Sequence, residues 1–110
     1  MEMDMDKDGY PDESELIQIR QWPMMDYLGL MDFVKSLWWA PDWGWIRTQV
    51  YGDSVFDIST GGWSGNESLI SALQDNQTFW NTCWLSSRRG GHYQFSVPEV
   101  LARTPSRTDL

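Results

Sequence analysis

Eight tryptophans fall within 110 residues: Trp22, Trp38, Trp39, Trp43, Trp45, Trp63, Trp80 and Trp84. That number constrains the fold more than any other feature of the chain. A domain of this length has a high ratio of surface to volume and a marginal core. Each indole can bury roughly 150–250 Å², so a few of them offset that deficit. Most of the eight are therefore expected in the core, with one or two left to line a pocket and stack on a planar ligand. Hydrophobic residues make up 41% of the chain and charged residues 22%, a globular composition for a single domain.

Charge and cysteine usage remove several function classes. Eight basic residues against sixteen acidic give −8 at neutral pH, which argues against a positive face for duplex nucleic acid. The imbalance is concentrated at the start: residues 1–15 hold seven acids against Lys7, while residues 16–110 hold nine acids against seven bases. From Arg88 onward the balance is positive, so a local anion site remains compatible with an acidic chain. A single cysteine, Cys83, excludes an internal disulfide, and with one histidine, His92, there is no multi-thiolate or His-rich metal centre. No apolar run approaches the roughly 18 residues of a membrane span. The acidic start is unlike a signal peptide, and the expected location is cytoplasmic.

Local patterns predict an α+β domain over residues 16–98, preceded by an acidic segment over 1–15 and followed by a frayed tail over 99–110. A helix is expected after Pro11, with Asp12 as N-cap and Glu15 at capping-box spacing, ending before Trp22-Pro23. A second fits Asp26 to about Trp39, where Tyr27, Leu30, Phe33, Val34, Leu37 and Trp38 form one apolar stripe, and Pro41 ends it. Trp45 to Tyr51 and Ser54 to Ser59 read as strands joined by a Gly52-Asp53 hairpin turn. Further helices are expected from about Glu67 to Leu73, capped by Ser64 or Asn66, and from Thr78 to Ser87, with Gly90-Gly91 as its stop. His92 to Val97 reads as a third strand. The sum is a small, mostly antiparallel three-stranded sheet packed with about four helices.

Two segments carry candidate chemistry. Residues 4–15 satisfy the calcium-loop pattern D-x-[DN]-x-[DN]-G-x5-E. Alternate carboxylates of a tight loop converge on one point, which suits a cation that takes six to eight oxygens. Asp4, Asp6, Asp8, Asp12 and Glu15 would ligate calcium through side chains and Tyr10 through its carbonyl. The segment resembles the loops of EF-hands and, more closely, the acidic loops of bacterial and thrombospondin-type proteins. A solvated acidic tail running into a capped helix is the plainer alternative for the same residues.

The second segment joins Gly61, Gly62, Trp63, Ser64, Gly65 and Asn66 to Arg88, Arg89 and His92. Two helices linked at Asp75-Asn76 would fold back on each other and bring these groups together. Amides at a helix start and two guanidiniums would then face one anion. Trp63 would stack on a base and Asn66 would read a polar edge, which suits a nucleotide. Each part also has an ordinary structural explanation, as loop glycines, helix-end arginines or a strand histidine. Cys83, among Phe79, Trp80 and Trp84, is expected to be buried and unreactive, and no catalytic set stands out.

The stretches Ser59-Thr60-Gly61-Gly62-Trp63-Ser64-Gly65-Asn66-Glu67 and Phe79-Trp80…Cys83-Trp84…Ser86-Ser87-Arg88-Arg89-Gly90-Gly91-His92-Tyr93 resemble small proteins of tailed phages and prophages, as do Leu37-Trp38-Trp39 and Asp42-Trp43-Gly44-Trp45. The likeness spans roughly residues 10–97. It implies a viral accessory protein acting in the bacterial host cytoplasm and transfers no catalytic residue. The leading expectation is a non-enzymatic protein binding an anionic small molecule, with sequestration of a host signalling nucleotide as one use. The alternatives are an anti-defence protein whose acidic surface meets a basic host protein, and a calcium-stabilised module. Exposed indoles would also favour a homodimer.

Overall fold

The computed structural model describes residues 10–98. Asp12 opens helix α1 (Glu13–Arg20) through the expected capping box: its carboxylate accepts from the Glu15 amide, and Glu15 Oε1 accepts from the Asp12 amide at 2.8 Å. Trp22 follows, and its indole N–H donates to the Asp26 carbonyl at 2.8 Å, shaping the entry to α2 (Tyr27–Leu37). The apolar stripe of α2 buries Tyr27, Leu30, Met31 and Val34. Each such side chain contributes roughly 1.5–3 kcal/mol by leaving water. Pro41 does not simply stop the chain, because it starts a single helical turn, α3 (Pro41–Gly44), entered through Ala40 at φ +62°.

Strands β1 (Trp45–Val50) and β2 (Asp53–Ser59) form a hairpin. Its turn is Tyr51-Gly52, with φ +52° and +91°, one residue earlier than the expected Gly52-Asp53. Two positive φ values give the strands a turn whose twist matches their own. Register decides the placement: burying Phe56 and Ile58 on one face fixes Val50 opposite Asp53, and a one-residue slip would turn both outward.

Helix α4 (Ser64–Asp75) begins three residues before the expected Glu67 and has no side-chain cap at Trp63, so neither Ser64 nor Asn66 acts as one. Asn76 ends it and caps α5 (Gln77–Cys83). Its buried amide also donates to the carbonyls of Ile19 (3.0 Å) and Trp22 (3.3 Å), tying α1 to the α4–α5 corner. The expected helix from Thr78 to Ser87 is corrected here. It stops at Cys83, and Trp84–Arg88 is a fourth strand, β3, paired with β4 (His92–Val97).

The four strands form one antiparallel sheet in the order β1-β2-β4-β3. Among the described residues the five helices lie before or between the strands, and the architecture is α+β. The core lies between the helices and one sheet face. There Phe56, Ile58, Phe95 and Val97 meet Ile19, Leu30, Leu69, Leu73 and Phe79. Aromatic edges organise it: Tyr27 stands edge-on to Phe79 at 5.2 Å, and Trp38 edge-on to Trp45 at 5.2 Å. Fewer tryptophans are buried than expected: Trp38 and Trp45 lie in the core, Trp22, Trp63 and Trp80 are half-buried, and Trp39, Trp43 and Trp84 are exposed.

Candidate functional site

Strand alternation dictates which side chains leave the core. With Phe56 and Ile58 facing the helices, Asp57 and Ser59 of β2 face the other way, and cross-strand pairing extends that face in two rows. One row runs Ile46, Asp57, Gln94, Ser86; the next runs Ser59, His92, Arg88. Together with Trp43 of α3 they line a cleft of about 200 Å³. Among the described residues no helix covers it.

The cleft mixes charge and apolar wall. Trp43 is 64% exposed and Ile46 59%, an unusual concentration of uncovered apolar surface beside polar groups. The Trp43 ring rests on Gly61: a Cβ there would lie 3.0 Å from the ring, and Gly61 is at φ +65°. Gly44, the next residue after Trp43, is fixed by the Ser59 carbonyl, which would be 2.6 Å from an added Cβ. Ser59 Oγ and His92 Nδ1 are 2.7 Å apart, and Gln94 donates to Asp57 Oδ1 at 3.1 Å. Among the described residues Arg88 has no ion pair, and the salt bridges are those of Arg20 with Glu13 and Asp75.

The glycine loop and the arginine pair do approach each other, but strands and not a helix pair bring them together. Ser59 pairs with His92, and the Thr60 amide donates to the Gly91 carbonyl at 3.0 Å. The predicted residues then separate. Arg88 and His92 line the cleft, and Gly61 seats its aromatic wall. Arg89 is exposed in the β3–β4 turn and does not line the cleft, and Gly62 is open to solvent.

The other four lie on the helix side. Trp63 stacks on Trp39 at 4.8 Å and meets Tyr10 at 5.1 Å, so its ring is engaged within the chain. Ser64 bonds the Tyr10 hydroxyl at 2.9 Å, and Gly65 is buried in the first turn of α4. Asn66 is 1% exposed. Its Oδ1 accepts from the Trp39 amide (2.8 Å), and its Nδ2 donates to the carbonyls of Trp39 (3.1 Å) and Thr60 (3.3 Å). It is a clamp between two loops and not a reader of ligand edges.

Asp4, Asp6 and Asp8 of the calcium pattern lie outside the described residues. Asp12 and Glu15 are joined in the capping box, and the described residues contain no group of three or more metal-ligating side chains. Cys83 is fully buried, and burial pushes its thiol up to about 12. Tyr27, beside it, is raised as well, by burial first and then by the Cys83 charge.

Cleft residues absent from the sequence expectation include Trp43, Ile46, Asp57, Ser59 and Gln94. Alternation in Ser54–Ser59 and His92–Val97 places Asp57, Ser59 and Gln94 away from the apolar face. Compared with protein families, curated proteins and solved structures, the chain matches none of them.

Proposed function

We propose that this protein is a non-enzymatic binding module that holds a small anionic molecule on the helix-free face of its sheet. One observation carries the reading: the Arg88 guanidinium, with no acidic partner among the described residues, shares a cleft with the His92 imidazole. A guanidinium offers a planar fork of donors suited to a carboxylate or phosphate. Trp43 supplies a flat apolar wall beside it. At about 200 Å³ the cleft lies below the roughly 300–1,000 Å³ common for enclosed ligand sites, so the ligand is compact or enters by one end. A nucleotide would rest its phosphate at Arg88 and run its base along Trp43. In that form the protein would act as a phage accessory factor that sequesters a host nucleotide in the bacterial cytoplasm.

A thermal-shift series with inorganic phosphate, linear and cyclic nucleotides and small carboxylates tests the reading. Stabilisation by at least one of these is expected, lost in Arg88→Ala and kept in Arg89→Ala. An absence of any shift, or a shift indifferent to Arg88→Ala, would overturn it. Salt-sensitive capture of a basic protein in place of any small-molecule shift would favour contact through the acidic surface.

A further inference from the structure

Arg88 is only half of the charge in the cleft. Asp57 lines it too, on β2, with β4 lying between it and β3. At ordinary strand spacing the two backbones are therefore about 10 Å apart across the sheet and staggered by about 7 Å along it. No ion pair joins the two side chains. The Asp57 carboxylate receives one hydrogen bond, from Gln94 to Oδ1, and Oδ2 receives none from the described residues. On the Arg88 side, His92 is tied to Ser59 through Nδ1, which leaves Nε2 as its second polar atom. On the side of Asp57 away from Arg88 stands Ile46 of β1, and Trp43 of α3 completes the apolar wall.

A cation and an anion held apart in one small cleft complement a ligand that carries both charges. A purely anionic guest would meet Arg88 favourably and Asp57 unfavourably, and like charges brought together in a partly desolvated site cost affinity. The volume sets the scale, since it is too small to enclose a base, a sugar and a phosphate together. We infer that the cleft takes a zwitterion of α-amino-acid size with an apolar side chain. Its ammonium meets Asp57, its carboxylate meets Arg88 and His92, and its side chain lies on Ile46 and Trp43. The assignment rests on the reading that Arg88 holds an anionic group in this cleft, and it replaces the nucleotide with a ligand that carries a positive group as well.

Titration calorimetry of the full chain with L-leucine, N-acetyl-L-leucine, L-leucinamide and adenosine monophosphate separates the possibilities. L-Leucine is expected to bind at least tenfold more tightly than either blocked derivative. Asp57→Asn, which keeps an acceptor for Gln94, is expected to cost L-leucine at least tenfold while leaving N-acetyl-L-leucine bound as tightly as before or more tightly. Arg88→Ala is expected to weaken both. The blocked derivatives use the unmodified protein, so the result does not depend on how a variant folds. Binding of N-acetyl-L-leucine or the nucleotide as tightly as L-leucine, with loss in Arg88→Ala, would overturn the zwitterion and leave the anion reading standing. No binding of any probe would overturn both.

Discussion

Asn66 offers the sharpest test of how the loops around the cleft are held. Replacing it by Ala removes three hydrogen bonds and strands the Trp39 amide and two carbonyls. A typical hydrogen bond contributes about 1 kcal/mol net, and a buried group left unpaired costs about 1–3 kcal/mol. Because Trp39 is part-exposed and water can reach some of the freed groups, the loss is expected at about 2–4 kcal/mol. For a domain near this size, that lowers Tm by about 8–16 °C at roughly 4 °C per kcal/mol. Asn66→Asp separates geometry from volume. Its carboxylate can still accept from the Trp39 amide, but its second oxygen then faces two carbonyls where the amide had donated.

The buried aspartate would be favoured neutral in the folded chain, which raises its folded pKa above the unfolded value. Stability is therefore retained below about pH 4 and lost as pH rises through the folded value. Asn66→Asp should melt below Asn66→Ala at pH 8 and recover toward it at pH 4. Calorimetric melts of the three proteins at both pH values decide the matter. An Asp variant within two or so degrees of the parent at pH 8 would refute the hydrogen-bond assignment.

Other consequences are more direct. Burial raises the Cys83 thiol from 9.0 to about 12, so between those values the unfolded chain loses a proton that the native state keeps. The Cys83 contribution to stability should be level below pH 9 and fall above it at up to about 1.4 kcal/mol per pH unit, read from urea midpoints. A thiol reagent at pH 8 should modify Cys83 only at the rate of unfolding. Gly91→Ala should destabilise strongly, by about 2 kcal/mol or more, because φ is +81° and the added Cβ would collide with Thr60 Oγ1. Thermal melts would show it. Trp43→Ala should leave Tm within a few degrees while weakening the ligand found by thermal shift about tenfold, in line with stacking worth ~1–3 kcal/mol.

What the sequence revealed follows the range of the interactions involved. The α1 capping box is local, and Asp12 and Glu15 announce it by spacing alone. The alternation of Phe56 with Ile58 and of Phe95 with Val97 carries β2 and β4 equally well. Strand β3 was read as helix because Phe79, Trp80, Cys83 and Trp84 recur at helical spacing and the following Leu85-Ser86-Ser87 lacks β-branched residues. Its strand geometry comes from pairing with β4 across the Arg89–Gly91 turn, and Leu85 is accommodated by a register shift between Trp84 and Ser86. Gly90-Gly91 reads equally as a helix stop or a hairpin turn, and pairing of β3 with β4 makes it the turn.

The candidate site divides the same way. Arg88 and His92 were visible as charge beside glycine. Asp57 joins them only through the strand order, and no window of the sequence contains that order. Asn66 looked available for a ligand because the sequence does not show that Trp39 returns to meet it.

Cys83 closes α5 and Trp84 opens β3 with no intervening residue. The chain has no slack at that junction, so a helix anchored in the core and a strand bearing a solvent-facing guanidinium move as one lever. Repacking around Phe79, on the far side of the sheet, is therefore expected to shift the start of β3, with the register shift between Trp84 and Ser86 standing between that point and Arg88.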